Sequence, residues 1–77
     1  MIDVLFFAEL QEAVGQEKVT IEADNITVKE LITNHLNIYN LENIDQAMTA
    51  INEEYAEADS VIKGGDIIAF IPPVSGG

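Results

Sequence analysis

The chain has 77 residues, 48% of them hydrophobic, and sets fourteen Asp and Glu against three Lys for a formal net charge of −11. That length supports one small domain with a modest core and no buried enzyme pocket of ordinary size, and the charge argues against nucleic acid, whose binding rests on Lys and Arg neutralising phosphates. The absence of cysteine excludes disulfides, thiol nucleophiles and thiolate metal sites, and a single histidine, His35, makes a transition-metal site unexpected.

The start, Met1-Ile2-Asp3-Val4, lacks the basic segment and long apolar run of a secretory signal. No stretch reaches membrane-spanning length, so a cytoplasmic protein without membrane association is expected. Ile2, Val4, Phe6 and Ala8 alternate with Asp3, Leu5, Phe7 and Glu9, which predicts a strand with one apolar face and a second face half apolar. A short helix over residues 9–14 follows, ended by Gly15, which tolerates the left-handed conformation of a helix C-terminus. Val19, Ile21 and Ala23 alternate with Lys18, Thr20 and Glu22 as a second strand, antiparallel to the first, and Asp24-Asn25 closes it.

Thr27-Val28-Lys29-Glu30 has capping-box spacing and starts a helix. Val28, Leu31, Ile32, Leu36 and Tyr39 recur at steps of three and four as one apolar stripe, which makes this the main helix packing on the sheet. His35 lies at the border of that stripe, with no titratable partner fixed beside it by helical spacing, and reads as a border residue rather than a catalytic base. Residues 37–46 read as loop with one helical turn. Residues 47–52 form a strand, Glu53-Glu54 turns it, and Tyr55 and Ala56 start a short return strand. Residues 59–63 read as an irregular turn. Gly64-Gly65-Asp66 is a second turn signal, without the lysine-bearing context of a phosphate loop. Residues 67–71 are an unbroken apolar strand of the kind buried at the centre of a sheet.

The order β, short α, β, long α, β, β, β predicts an α+β fold with a mixed sheet and one main helix across one face. The first and last strands are its central parallel neighbours. That is the β-grasp, or ubiquitin-like, arrangement in a single domain over residues 1–77, and it delivers residues 72–77 out of the sheet as a protruding tail. Pro72 and Pro73 lock φ and remove backbone donors, so pairing stops there and an extended departure is favoured. After Val74 and Ser75, Gly76 and Gly77 carry no Cβ and suit passage through a slot too narrow for ordinary side chains. The chemistry such an end offers is the α-carboxylate of Gly77, with Gly76 giving access. On the sheet, Leu5 and Phe7 point away from the face of Ile2, Val4 and Phe6, while Ile67, Ala69 and Ile71 alternate with Ile68 and Phe70. If Phe70 faces the helix with Phe6, then Phe7 and Ile71 share the opposite face near the tail, and Tyr55 on a neighbouring strand extends it. An exposed apolar patch of this kind marks a protein interface, unless the short first helix or a loop covers it.

Leu5-Phe6-Phe7-Ala8 with Leu10 and Gly15, Ala50-Ile51-Asn52, Gly65-Asp66 and above all Phe70-Ile71-Pro72-Pro73-Val74-Ser75-Gly76-Gly77 resemble the small, sulfur-carrying subunits of molybdopterin synthase along the whole chain. The diglycine alone is shared by many ubiquitin-like carriers, including those of thiamine synthesis and tRNA thiolation; the Pro-Pro-Val-Ser-Gly-Gly ending is more specific. Ile71 stands where the family often has an aromatic. The resemblance implies that Gly77 is adenylated by an ATP-using, ubiquitin-activating-like partner and then converted to a thiocarboxylate with sulfur from a donor protein. The charged tail would enter a larger catalytic subunit, where sulfur passes to cyclic pyranopterin monophosphate to build the dithiolene of molybdopterin. The chain itself would bind no cofactor and would not be an enzyme in isolation. Phe7, Tyr55 and Ile71 would anchor the large subunit, with Pro72, Pro73, Val74 and Ser75 leading into it. Two rivals are a modifier joined through Gly77 to lysine amines and a binding module that uses its acidic surface with an inert tail.

Overall fold

Burial alternates along Ile2–Phe6, with Ile2, Val4 and Phe6 almost wholly buried and Asp3 and Leu5 only partly so, and this strand, β1, sets the frame of the molecule. The computed structural model describes residues 1–41 and 44–73. After β1 come α1 (Ala8–Val14), β2 (Lys18–Ile21), β3 (Ile26–Thr27), α2 (Val28–Asn34), 3-10 turns at Asn37–Tyr39 and Ile44–Gln46, β4 (Met48–Ile51), β5 (Glu54–Ala56), β6 (Val61–Ile62) and β7 (Ile67–Ile71). Five strands form one sheet in the order β2-β1-β7-β4-β5. β1 runs parallel to β7, with Val4 beside Ile68 and Phe6 beside Phe70, and the other neighbours pair antiparallel. This is the α+β, β-grasp arrangement expected above.

One face of the sheet carries the core. Ile2, Val4, Phe6, Ile68 and Phe70 pack under Leu10 of α1, Val28 and Leu31 of α2, and Leu36, Ile44 and Ile62. The Phe6 and Phe70 rings stack with centroids 6.1 Å apart, and Tyr39 meets Phe6 edge-on at 6.4 Å. The capping box forms as its spacing predicts: the Glu30 N–H donates to Thr27 Oγ1 at 3.1 Å and the Thr27 N–H donates to Glu30 Oε1 at 2.9 Å. Gly15 closes α1 with φ of 86° and its N–H donating to the Gln11 carbonyl, the left-handed cap that a side chain would strain.

The structure departs from the sequence expectation in several places. β1 stops at Phe6, and Ala8 opens α1 with φ of 51°, because the chain turns from strand to helix within Phe7 and Ala8. The two helices are equal in length at seven residues. α2 remains the larger contributor, with Val28 and Leu31 buried against the single Leu10 of α1. α2 ends at Asn34 with His35 as its cap, the His35 N–H donating to the Leu31 carbonyl. The apolar stripe runs on to Leu36 and Tyr39 because the following 3-10 turn returns those side chains to the core side. β2 ends at Ile21, leaving Ala23 beyond it. Residues 59–63 are not merely a turn: Val61–Ile62 pairs antiparallel with Ile26–Thr27, placing Ile62 fully inside the core.

The β4–β5 hairpin shows local strain. Ile51 pairs with Glu54, and the intervening Asn52 and Glu53 have φ of 51° and 70°, the two positive values of a type I′ turn. Asparagine tolerates this conformation; glutamate at the second position adopts it at a cost. Glu53→Gly removes a left-handed penalty of about 1 to 2 kcal/mol against a glycine entropy cost of about 0.5 to 1 kcal/mol. The difference spans about 0 to 1.5 kcal/mol, and its middle value of about 0.75 kcal/mol corresponds to a rise in Tm of roughly 3 to 6 °C for a domain this small. A fall in the midpoint of thermal unfolding would show that the Glu53 side chain contributes more than its backbone costs.

Candidate docking face and carrier terminus

The same period-two alternation that buries one set of side chains turns the other set to the opposite face of the sheet. Across it, Leu5 lies beside Ala69, Ala69 beside Ala50 and Ala50 beside Tyr55, while Met48 lies beside Ile71. Phe7 and Ile67 are each 44% exposed and Ile71 is 39% exposed. Leu5, Phe7, Ala50, Asn52, Glu53, Ile67, Ala69 and Ile71 line a shallow groove of about 640 Å³. α1 does not cover it among the described residues, because its buried residue, Leu10, packs into the core on the other side.

Phe7 and Ile71 are thus brought together, as the alternation predicts. Tyr55 shares their face but not their groove: β4 separates its strand from β7, and the side chain is 73% exposed at the sheet edge. Pro72 is half-buried and Pro73 exposed directly beyond β7, so the tail starts at the Phe7, Ile71 and Met48 end of this face. Val74, Ser75, Gly76 and Gly77 lie outside the described residues. Sequence reasoning missed Met48 and Ala50. Their own segment reads as a compact apolar run, and only the pairing with β7 shows which of its residues face outward.

Polar contacts fix the borders of the groove. At one end the Asn52 amide donates from Nδ2 to Asp66 Oδ1 at 3.0 Å and accepts from the Ile67 N–H at 3.0 Å. The Lys63 N–H donates to Asp66 Oδ2 at 2.9 Å. These bonds tie the β4–β5 hairpin to the start of β7. The Lys63 backbone N–H first, then the Asn52 side chain, hold the Asp66 carboxyl below the usual carboxylate range. The stabilisation this gives is present above the ordinary carboxylate pKa and is lost as pH falls through the lowered value. On the β2 side, Lys18 Nζ lies 3.8 Å from Asp3 Oδ2, and Thr20 Oγ1 donates to Asp3 Oδ1. Among the described residues no group of three His, Asp or Glu side chains could hold a metal ion. No helix among them is long and apolar enough to cross a membrane.

The ThiS family model matches residues 4–77, from the first strand to the final glycine. The chain belongs to the ThiS family. Along its whole length and the whole of the relative's, it is 36% identical to the molybdopterin synthase sulfur carrier subunit of Haemophilus influenzae, in line with the resemblance carried by the Pro-Pro-Val-Ser-Gly-Gly ending. Among solved structures, SAMP1 from Haloferax volcanii aligns with a TM-score of 0.84 at 25% identity, covering 99% of this chain and 98% of that one. A chain from the protein-protein complex of subunits 1 and 2 of the molybdopterin-converting factor of Helicobacter pylori aligns with a TM-score of 0.60 at 26% identity, covering 99% and 97%. This ThiS-family chain therefore shares its fold with SAMP1 and with a chain of that complex.

Proposed function

We propose that this chain is the sulfur carrier subunit of a molybdopterin synthase, acting in the cytoplasm through a thiocarboxylate at Gly77. The single observation that carries the reading is its end-to-end similarity to sulfur carrier subunits of that enzyme, within a family match that reaches residue 77. The chemistry follows from the groups present. A carboxylate is a poor electrophile at neutral pH, so the Gly77 carboxylate must first attack the α-phosphate of ATP on an activating partner, releasing pyrophosphate and forming an acyl-adenylate. Sulfide-level sulfur released from a donor protein then attacks the acyl carbon, the C–O bond to AMP breaks, and the thiocarboxylate is left, a soft nucleophile at the end of a thin arm. A chain without cysteine can carry reactive sulfur in this way.

In the large subunit, charged carriers used in turn supply the sulfurs of the dithiolene to cyclic pyranopterin monophosphate, each returning as a carboxylate. The larger partner provides the substrate pocket and the acid and base groups. This chain supplies the reagent, holds no cofactor and is not an enzyme alone; ATP is consumed by the activating partner. The test is to incubate the chain with ATP, the activating enzyme and a sulfur donor, and to read the terminus by high-accuracy mass spectrometry with C-terminal fragmentation. Exchange of one Gly77 oxygen for sulfur, followed by molybdopterin formation with the large subunit, is the expected result. Isopeptide-linked products in its place would make the chain a protein modifier, and an inert Gly77 would leave only a binding module.

The apolar face beside the tail is the surface proposed to seat the large subunit, with acidic residues as its rim. Phe7→Ala and Ile71→Ala are each expected to weaken association by about 1 to 3 kcal/mol, as central apolar anchors do. Tyr55→Ala, at the sheet edge and outside the groove, should cost less. Calorimetric titration against the large subunit measures all three; unchanged affinity for Phe7→Ala and Ile71→Ala would remove this face from the docking surface.

A further inference from the structure

The outer face is not uniformly filled. At its centre Ala50 and Ala69 sit side by side as cross-strand partners, and the residues around them are larger. Leu5 lies next to Ala69 on β1, Ile67 and Ile71 stand two residues away on either side along β7, and Phe7 lies beyond Leu5. Methyl groups set among side chains of this size leave a depression, the centre of the groove of about 640 Å³. Folding does not require it, because the core occupies the other face and the walls of the depression remain substantially exposed.

Size and charge both indicate what fills it. A small floor with apolar walls matches one bulky apolar side chain, and such a knob, desolvated at the middle of a contact, is the usual form of a binding hot spot. At one end of the groove stands Glu53. The ion pair found among the described residues, Lys18 with Asp3, lies on the β2 side of the sheet and leaves Glu53 without a cation. In a chain with three lysines against fourteen acids, none of the lysines forms an ion pair with Glu53, so a cation of the partner can supply the complementary charge.

We infer that Ala50 and Ala69 floor a recognition pocket for one large apolar side chain projecting from the docked protein, with a lysine or arginine of that protein beside Glu53. The inference rests on the outer face being the surface that receives the large subunit. It assigns the choice of partner to two small residues whose enlargement the fold tolerates and the interface does not.

The experiment titrates the full-length Ala69→Leu, Ala50→Leu, Ala69→Ser and Phe7→Ala chains calorimetrically against the large subunit of molybdopterin synthase from the same organism, with thermal unfolding followed in parallel. Ala69→Leu and Ala50→Leu should each lose about tenfold or more in affinity, the scale of a blocked hot spot, while unfolding as the parent does. Ala69→Ser, which adds little volume but a hydroxyl, should lose clearly less affinity than the leucine variants. Should one leucine variant fail to fold, the other decides, since they lie on different strands. Parental affinity in a folded leucine variant, with Phe7→Ala still weakened, overturns the pocket and leaves the docking face standing. Parental affinity in every variant overturns both. An equal loss in Ala69→Ser overturns the volume argument. For the charge, Glu53→Gln should slow association at low salt and flatten its salt dependence; an unaltered salt dependence overturns the cationic half of the inference.

Discussion

Deleting Gly77, or adding one residue after it, is expected to abolish sulfur loading and to leave the domain folded. The reason is the position of one functional group: the carboxylate that must meet ATP in the activating partner is displaced along the arm by the length of a residue, about 3.3 to 3.6 Å when extended. Displacements of about 1 Å already cost on the order of a hundredfold in rate when reacting atoms must be aligned. An added side chain would also meet the narrow slot proposed for residues without Cβ, Gly76 among them. Folding is unaffected because the core is built from residues between Ile2 and Phe70. The check is C-terminal fragmentation mass spectrometry after incubation with ATP, activating enzyme and sulfur donor, together with the thermal unfolding midpoint. Sulfur found on a lengthened or shortened terminus would show that loading does not depend on the position of the Gly77 carboxylate.

Phe70→Ala is expected to give the opposite phenotype, from within the last strand. Phe70 is fully buried, lies on a central strand between β1 and β4 and stacks on Phe6. Truncating such a residue costs about 3 to 5 kcal/mol. A domain of this size has about 4 to 12 kcal/mol in all, so the variant is expected to be largely unfolded or to melt at a much lower temperature. Ile71→Ala, one residue further on and on the outer face, should change the unfolding midpoint little while weakening docking. Urea titration of both variants separates the faces. A Phe70→Ala chain within a few degrees of the parent would mean that this face is not the core.

The two outcomes depend on information of different kinds. Local sequence determined much of the fold: the Thr27 and Glu30 capping box, the cap at Gly15, the alternation of Ile2, Val4 and Phe6, and the run ending at Pro72-Pro73 all act over a few residues, so their geometry follows from identity and spacing. The proposal for the terminus rests on the same kind of local reading, since a diglycine after two prolines has its chemistry in its last atoms. β3 and β6 were not legible, because two-residue strands have no periodicity and exist only through their pairing with each other. The end of α2 was misplaced because the apolar stripe continued unbroken into a 3-10 turn that serves the same core. Alternation also told that Phe7 and Ile71 face away from Phe6 and Phe70, but not what lies between and around them. That Ala50 meets Ala69, that Met48 meets Ile71, and that Tyr55 stands one strand too far out to join their groove were decided by tertiary structure. Cross-strand neighbours are set by register and strand order, which join residues far apart in the chain and leave no local mark on either.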